Sequence, residues 1–141
     1  MSEKNVKNIK WMKRAIHLAS LGDGKTSPNP MVGAVIIDKN GNIISEGFHF
    51  KAGMPHAEAM AFNNLKKDAT GGSMYVNLEP CCHQGKTPPC VDKVISSGLK
   101  KVYISIEDPD KRVSGKGIKL LKEAGIQVHL GLCKKESLDL N

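Results

Sequence analysis

The chain has 141 residues, of which 40% are apolar and 25% charged, a composition typical of an ordinary globular domain. Its net charge of +7 comes from lysines scattered along the chain, and its 4% of aromatic residues are too few for a stacking surface along single-stranded nucleic acid. No apolar run approaches the roughly 20 residues that cross a bilayer, and the first residues lack the features of a secretory signal. We therefore expect a single cytoplasmic domain over residues 1–141.

The first predicted elements are a helix and a β-hairpin. Apolar residues recur at helical spacing from Val6 to Ile16, and Gly22 marks the end of this helix. An Asn40-Gly41 pair then favours a tight turn between two strands. The strands of this predicted hairpin cover residues 31–38 and 42–50.

Helices and strands alternate in the rest of the chain. In order, the sequence predicts a helix from about Ala57 to Lys67, a strand over 73–78, a helix from near Pro88 to Gly98, a strand over 101–106, a helix from about Gly115 to Ala124 and a strand over 126–132. Strand–helix–strand units join parallel strands through right-handed crossovers, whereas the hairpin adds an antiparallel edge. The predicted fold class is therefore α/β, a three-layer α/β/α sandwich around a mixed five-stranded sheet.

Three side chains suited to zinc, and one carboxylate, lie at predicted strand and helix ends. His56 and Glu58 begin the second helix, Cys81 follows the strand over 73–78, and Cys90 lies at the start of the next helix. Ligands of such sheets bind beyond the carboxyl ends of the strands, and helix N-termini favour the thiolate form of cysteine. We therefore predict Zn²⁺ bound by His56, Cys81 and Cys90. Three protein ligands leave a fourth position for water, as in catalytic zinc sites, with Glu58 beside it as proton shuttle.

A closed structural zinc site is the alternative, with Cys82 or His83 as the fourth ligand. Adjacent cysteines seldom both bind one ion, and a structural site has no use for Glu58, so the open site is favoured. Cys133 is expected to be a buried packing residue in the last strand. The remaining cysteine and histidines are expected to be packing or surface residues: Cys82, His17 and His129.

Longer motifs give the chain a specific family resemblance. They read Pro-Asn-Pro-Met-Val-Gly-Ala-Val over 28–35, Gly-Phe-His over 47–49, Pro-His-Ala-Glu over 55–58, Leu-Glu-Pro-Cys over 78–81, His-Gln-Gly-Lys-Thr-Pro-Pro-Cys over 83–90, Asp-Pro over 108–109 and Val-Ser-Gly-Lys-Gly over 113–117. With these motifs the chain resembles the cytidine deaminase-like superfamily, and within it the deaminase domain of the bifunctional riboflavin-biosynthesis deaminase/reductase. The long gap between Cys81 and Cys90 is the most discriminating feature, because other members generally have Cys-x-x-Cys.

The resemblance implies a zinc-dependent hydrolase of riboflavin biosynthesis. Its implied substrate is 2,5-diamino-6-ribosylamino-4(3H)-pyrimidinone 5′-phosphate, which is deaminated to 5-amino-6-ribosylaminouracil 5′-phosphate. Glu58 is implied as the catalytic proton shuttle, while Asn29 and His49 would contact the base or sugar. The residues implied to hold the ribose phosphate are His83, Lys86 and Thr87. A flexible ammonium near a helix N-terminus also suits phosphate on physical grounds.

Other interpretations stay open for several of these residues and for the function. Asn29 is also consistent with a turn residue between two prolines, His49 with a surface residue of an edge strand, and Lys86 with a solvated loop lysine. The alternative functions are deamination of another cytosine or adenine nucleotide or nucleic-acid base, and a zinc-binding module without catalysis. We expect no membrane or nucleic-acid partner, a homo-oligomer (dimer or tetramer), and no reductase domain within residues 1–141.

Overall fold

A computed structural model describes residues 2–22, 30–51, 54–82 and 90–141 of the chain. These residues form five helices and five strands. In chain order they are α1 (Glu3–Ser20), β1 (Gly33–Ile37), β2 (Ile43–Phe48), α2 (Ala57–Asn63), β3 (Ser73–Leu78), α3 (Cys90–Ser96), β4 (Lys101–Ile106), α4 (Lys116–Glu123), β5 (Gln127–Leu130) and α5 (Lys134–Leu140).

The strands form one mixed sheet in the order β2-β1-β3-β4-β5. β1 is antiparallel to both of its neighbours, whereas β3, β4 and β5 are parallel to one another. The parallel strands are joined through α3 and α4, which is the crossover arrangement that the alternating pattern predicts. The mixed five-stranded sheet and its antiparallel edge are therefore confirmed.

Helices cover both faces of the sheet. Side chains of successive strand residues point to opposite faces, so each central strand contributes to two cores. Ala34, Ile36 and Val76 belong to a core on one face, which also contains buried residues of α2, α3 and α4. Val35 and Tyr75 belong to a second core with Met12, Ala15 and Leu18 of α1. This arrangement is the predicted three-layer sandwich.

The hairpin between β1 and β2 turns where the Asn-Gly pair predicts it. The Asp38 carboxylate accepts hydrogen bonds from the backbone N–H groups of Asn40 and Asn42, each at 2.9 Å. Gly41 has a φ of 88°, a value that glycine adopts without steric cost. The side chain of Asp38 and the glycine together fix the register of the edge strand.

The main differences from the sequence predictions are the end of α2, the end of the last strand and an additional helix, while the other described bounds agree to within two residues. α2 ends at Asn63 rather than Lys67, because the Asn64 side chain donates to the Glu46 carbonyl and the Lys66 N–H donates to the Ile44 carbonyl, which turns the chain back to β2. The last strand ends at Leu130, so the placement of Cys133 in it is wrong. Cys133 instead precedes α5, a helix that the sequence analysis did not predict, and packs partly buried against the second core.

The predicted start of the third helix near Pro88 lies outside the described residues, and its described part runs from Cys90 to Ser96. Within the described ranges, none of the helices combines the length and the apolar character needed to cross a bilayer.

Candidate metal and catalytic site

Three segments bring the predicted zinc ligands to the carboxyl end of β3. His56 is the N-cap residue of α2, Cys81 lies three residues beyond the end of β3, and Cys90 is the first residue of α3. The Val91 N–H donates to the Cys81 carbonyl at 3.1 Å, which joins the start of α3 to the segment after the strand. Residues separated by up to 34 positions therefore meet at one site, as the sequence predicts.

The distances between the donor atoms suit a single zinc ion. Nδ1 of His56 lies 3.4 Å from the Cys90 sulfur and 3.8 Å from the Cys81 sulfur. All three donor atoms lie within 4.8 Å of one another. Zinc bonds of about 2.0 Å to nitrogen and 2.3 Å to sulfur in tetrahedral geometry place a nitrogen and a sulfur roughly 3.5 Å apart and two sulfurs roughly 3.8 Å apart. The residues present therefore fit the metal in both chemistry and spacing.

Hydrogen bonds among the metal-ligating groups shift the pKa values of the two thiols in opposite directions. The Cys90 thiol and then His56 hold the pKa of Cys81 down to about 4, and the Cys90 backbone N–H donates to the same sulfur at 3.1 Å. The hydrogen bond to Cys81, followed by burial, raises the pKa of Cys90. A bound cation favours thiolates at both positions, because its charge outweighs these local effects.

Among the described residues, only His56, Cys81 and Cys90 form a group of histidine, cysteine and acidic side chains close enough to share an ion. Cys82 is half-buried and is not part of the group, which argues against the closed site with Cys82 as fourth ligand. His83, the other residue considered for that role, lies outside the described residues.

Glu58 lies in the first turn of α2 and is almost completely buried. Burial is the main cause that raises its pKa to about 7, and the nearby Cys81 adds to this rise. A carboxyl group with a pKa close to neutrality can both accept and donate a proton under ordinary conditions. The environment of Glu58 is therefore the one that a proton shuttle requires.

A cleft of about 240 Å³ opens beside the metal ligands. His56, Glu58 and Cys81 line it together with Pro30, Val32, His49 and Asp108. The carboxylate and two of the metal ligands thus face the same small volume, in which a planar ring can lie.

His49 lies in this cleft, one residue beyond β2, and only 2% of its surface is exposed. Its Nδ1 lies 3.2 Å from the Pro55 carbonyl oxygen, and its ring packs edge-on against that of His56 with centroids 5.5 Å apart. The alternative of a surface histidine is therefore wrong. The other residues expected to contact substrate lie outside the described residues: Asn29, His83, Lys86 and Thr87.

Two of the remaining histidines have the roles expected of them. His17 is exposed on α1, and the exposed His129 stacks on the ring of Tyr103 with centroids 4.7 Å apart. The sequence analysis gave no role to two buried polar residues at this site: Glu79, which itself lines the cleft, and Asn77, two residues before it on β3. Glu79 stands within the Leu-Glu-Pro-Cys motif, which was the only signal that could have pointed to it.

Comparison with known families decides the relationship of the chain. Residues 5–106 match the family model described as the cytidine and deoxycytidylate deaminase zinc-binding region. The chain belongs to this family. The match includes all three residues of the metal-ligand group, so the expected cofactor, zinc, is confirmed for the family and for the donor set of this chain.

Individual relatives narrow the relationship to riboflavin biosynthesis. The chain is 51% identical to the diaminohydroxyphosphoribosylamino-pyrimidine deaminase of Buchnera aphidicola subsp. Schizaphis graminum, over 93% of this chain and 88% of the relative. It is 49% identical to the riboflavin biosynthesis protein RibD of Actinobacillus pleuropneumoniae, over 99% of this chain and 37% of that protein. The chain therefore spans a little over a third of the length of this RibD relative.

A solved structure agrees with these relationships. Acinetobacter baumannii RibD, form 2, superposes with a TM-score of 0.94 at 44% identity, over 99% of this chain and 39% of that one. The cytidine deaminase-like fold and the resemblance to the RibD deaminase domain, both inferred from the sequence, are thus confirmed.

Proposed function

We propose that the chain catalyses zinc-dependent hydrolytic deamination of 2,5-diamino-6-ribosylamino-4(3H)-pyrimidinone 5′-phosphate. The single observation that carries the proposal is the buried carboxyl of Glu58 facing the same cleft as the zinc ligands His56 and Cys81. The relatives that are 51% identical, and named as deaminases of this pyrimidine, support the choice of substrate. The reaction consumes one water, releases one ammonia and leaves a ring carbonyl in place of the amine.

The chemistry divides between the metal and the protein. When bound by His56, Cys81 and Cys90, zinc supplies the Lewis acidity that makes water a nucleophile near neutral pH. Glu58 accepts a proton from the attacking water and delivers protons to the ring nitrogen and to the leaving amine. Its raised pKa, about 7, suits both directions of transfer. The low polarity around the buried carboxyl also keeps bulk water from competing for those protons.

Substrate contacts are part of the same proposal. His49, buried at the side of the cleft with its ring edge-on to His56, contacts the base or sugar. The family resemblance assigns Asn29 to the same task. It assigns the ribose phosphate to His83, Lys86 and Thr87.

Ammonia release from the purified, zinc-loaded protein tests the proposed function. The diaminopyrimidinone ribotide is compared with cytidine, deoxycytidylate, adenosine and a cytosine-containing oligonucleotide at equal concentrations. We expect release from the ribotide alone. Release from another base instead would establish the alternative deaminase. No release from any of them, with zinc bound, would leave a zinc-binding module without catalysis.

Domain organisation, location and assembly complete the proposal. Residues 1–141 act as one deaminase domain, a view supported by the single sheet on which the described helices pack. The zinc-binding thiols need a reducing compartment, which supports a cytoplasmic location. A dimer or tetramer stays a prediction, which light scattering coupled to size-exclusion chromatography at micromolar concentration can check.

A further inference from the structure

Two buried polar residues, Asn77 and Glu79, shortly precede the metal ligand Cys81 in the chain. Asn77 is the fifth residue of β3, and Glu79 follows the strand. Asn77 is completely buried and Glu79 is 4% exposed. Buried amides and carboxylates are costly unless their hydrogen bonds are made, so their partners show what they hold in place.

Asn77 holds the segment that enters β1. Its Oδ1 accepts a hydrogen bond from the Gly33 N–H at 2.8 Å, and its Nδ2 donates to the Met31 carbonyl at 3.1 Å. Pro30 and Val32, which line the cleft, belong to this segment. We call Pro30 and Val32 the β1 wall of the cleft. The Asn141 side chain also accepts from the Met31 N–H at 2.9 Å and donates to its carbonyl at 3.1 Å, whereas Asn77 is the side chain that ties the β1 wall to β3.

Glu79 holds the segment on the opposite side. Its Oε1 accepts from the N–H groups of Asp108 and Gly115, each at 3.0 Å, and its Oε2 accepts from the Ile118 N–H at 3.1 Å. Asp108 lies just beyond β4, which ends at Ile106, and it lines the cleft. We call Asp108 the β4 wall of the cleft. The same carboxylate therefore fixes the β4 wall and caps the first turn of α4.

Glu79 packs closely against the first turn of α4. A Cβ on Gly117 would lie 2.6 Å from the Pro80 carbonyl oxygen and 3.2 Å from Oε2 of Glu79. The Glu79 N–H also donates to the Ile106 carbonyl at 3.0 Å, so the residue is tied to β4 through its backbone as well. Hydrogen bonds to a charged acceptor in such a site are about twice as strong as neutral ones.

We propose that Asn77 and Glu79 are positioning residues that set the width of the substrate cleft, by holding its β1 wall and its β4 wall at fixed places relative to Cys81. Asn77 then holds the β1 wall, Glu79 holds the β4 wall and Cys81 binds the metal. The three residues alternate along one segment, which consists of the last part of β3 and the residues directly after it. This inference deepens the proposed function, because the width of the cleft matters to the binding of the ring.

Isosteric substitutions test the proposal while keeping the shape of each side chain. In Asn77→Asp the donor to the Met31 carbonyl is lost, and in Glu79→Gln one of the two acceptor oxygens becomes a donor facing backbone N–H groups. We expect KM to rise about tenfold in each, the loss of roughly one buried hydrogen bond, with a much smaller change in kcat. Zinc content stays at one ion per chain in both.

Ser137 of α5 supplies a control variant. Ser137 donates to Ser105 in a buried hydrogen bond at 2.6 Å, away from the cleft. Ser137→Ala therefore removes a buried hydrogen bond without touching either wall, and we expect an unchanged KM. Equal KM values in Asn77→Asp, Glu79→Gln and Ser137→Ala would overturn the proposal.

Amide hydrogen exchange tests the same inference without substrate. In zinc-loaded Glu79→Gln, exchange at Asp108 and Gly115 is expected to accelerate about tenfold while Gly33 is unchanged, and Asn77→Asp is expected to accelerate exchange at Gly33 alone. Unchanged exchange at these amides would overturn the positioning role. If the wild-type protein deaminates nothing, the proposed function fails while exchange still decides this inference.

Discussion

The three metal-ligating side chains differ in how far each is exposed. Cys90 is buried, Cys81 is partly buried and His56 is exposed. Cys90 is therefore enclosed by protein, whereas His56 and Cys81 line the cleft. Two kinds of variant are expected to differ: loss of a ligand such as Cys90 removes the metal, whereas under the proposed function a change of Glu58 impairs proton transfer and leaves the metal bound.

Replacement of Cys90 by alanine is expected to abolish stoichiometric zinc binding and activity together, since it removes one of three ligands. Glu58→Gln is expected to retain one zinc per chain and to lower kcat by roughly a thousandfold, the usual contribution of a general acid–base group. Metal content by mass spectrometry of dialysed protein and steady-state kinetics measure the two effects. A zinc-free Glu58→Gln protein would show that Glu58 is itself a ligand.

The pH dependence of His129 can be checked by NMR. Burial, followed by the charges of Lys101 and Lys4, holds the pKa of this histidine below its usual 6.5. The fold therefore favours the neutral ring, and this contribution to stability is present above pH 6.5 and lost as pH falls through the lowered pKa.

Two lysine variants test how nearby charge affects the pKa of His129. Lys101→Ala is expected to shift the titration midpoint of His129 upward, because it removes the larger of the two repulsive charges. Lys119→Ala changes a lysine that does not act on His129 and serves as control. A midpoint at or above 6.5 in the wild-type protein would contradict this description of the site.

At the level of elements, α2 carries the proposed proton shuttle Glu58 and begins at the metal ligand His56, and it packs against β2 through a glycine. A Cβ on Gly47 would lie 2.4 Å from the Ala57 carbonyl oxygen and 2.5 Å from the Ala61 nitrogen. The Ser45 hydroxyl also donates to the Ala61 carbonyl. The position of α2, and with it the placement of His56 and Glu58, depends on this close approach.

Gly47→Ala is expected to displace α2, to cost about 1–3 kcal/mol of stability through overpacking, and to weaken zinc binding. Gly72→Ala is the matched control, because its Cβ would lie 2.2 Å from the Ile37 carbonyl oxygen, at the end of β3 away from the ligands. It is expected to cost similar stability and to leave zinc affinity unchanged. Urea denaturation and competition with a chromophoric zinc chelator give both quantities, and equal zinc affinity in the two variants would refute the role of Gly47.

The sequence predicts those elements whose signals are local. β3 and β4 match their predicted bounds because each is a mostly apolar run that follows a glycine-containing break and ends before a proline-containing segment. The zinc ligands come together because each follows or begins a predicted element. The end of α2 was missed since it depends on a hydrogen bond from Lys66 to a distant strand. The roles of Asn77 and Glu79 were missed for the same reason: their partners are backbone N–H and carbonyl groups that lie up to 46 positions away.

For the molecule as a whole, the metal ligands come from two separate connections of the fold. His56 belongs to the β2–α2 connection, while Cys81 and Cys90 lie on either side of the connection from β3 to α3. Since these ligands are far apart in an unfolded chain, zinc binds the folded state preferentially and stabilises it.

Removal of zinc by a chelator is therefore expected to lower the melting temperature by about 10 °C, which corresponds to a few kcal/mol for a domain of this size. Differential scanning calorimetry with and without a chelator measures the shift, and readdition of zinc restores it. Cys90→Ala, which lacks a ligand, is expected to show no shift. An identical melting temperature of the zinc-loaded and zinc-free wild-type protein would contradict the role of the metal in joining these segments.

The most direct test of the account is X-ray absorption spectroscopy at the zinc edge of the native protein. The account predicts two sulfur neighbours at about 2.3 Å and two nitrogen or oxygen neighbours at about 2.0–2.1 Å, with a spectrum that does not change in a His83→Ala variant. A third sulfur neighbour, or a spectrum altered by His83→Ala, would mean that a fourth side chain closes the site, and would contradict the central claim that His56, Cys81 and Cys90 hold a catalytic metal.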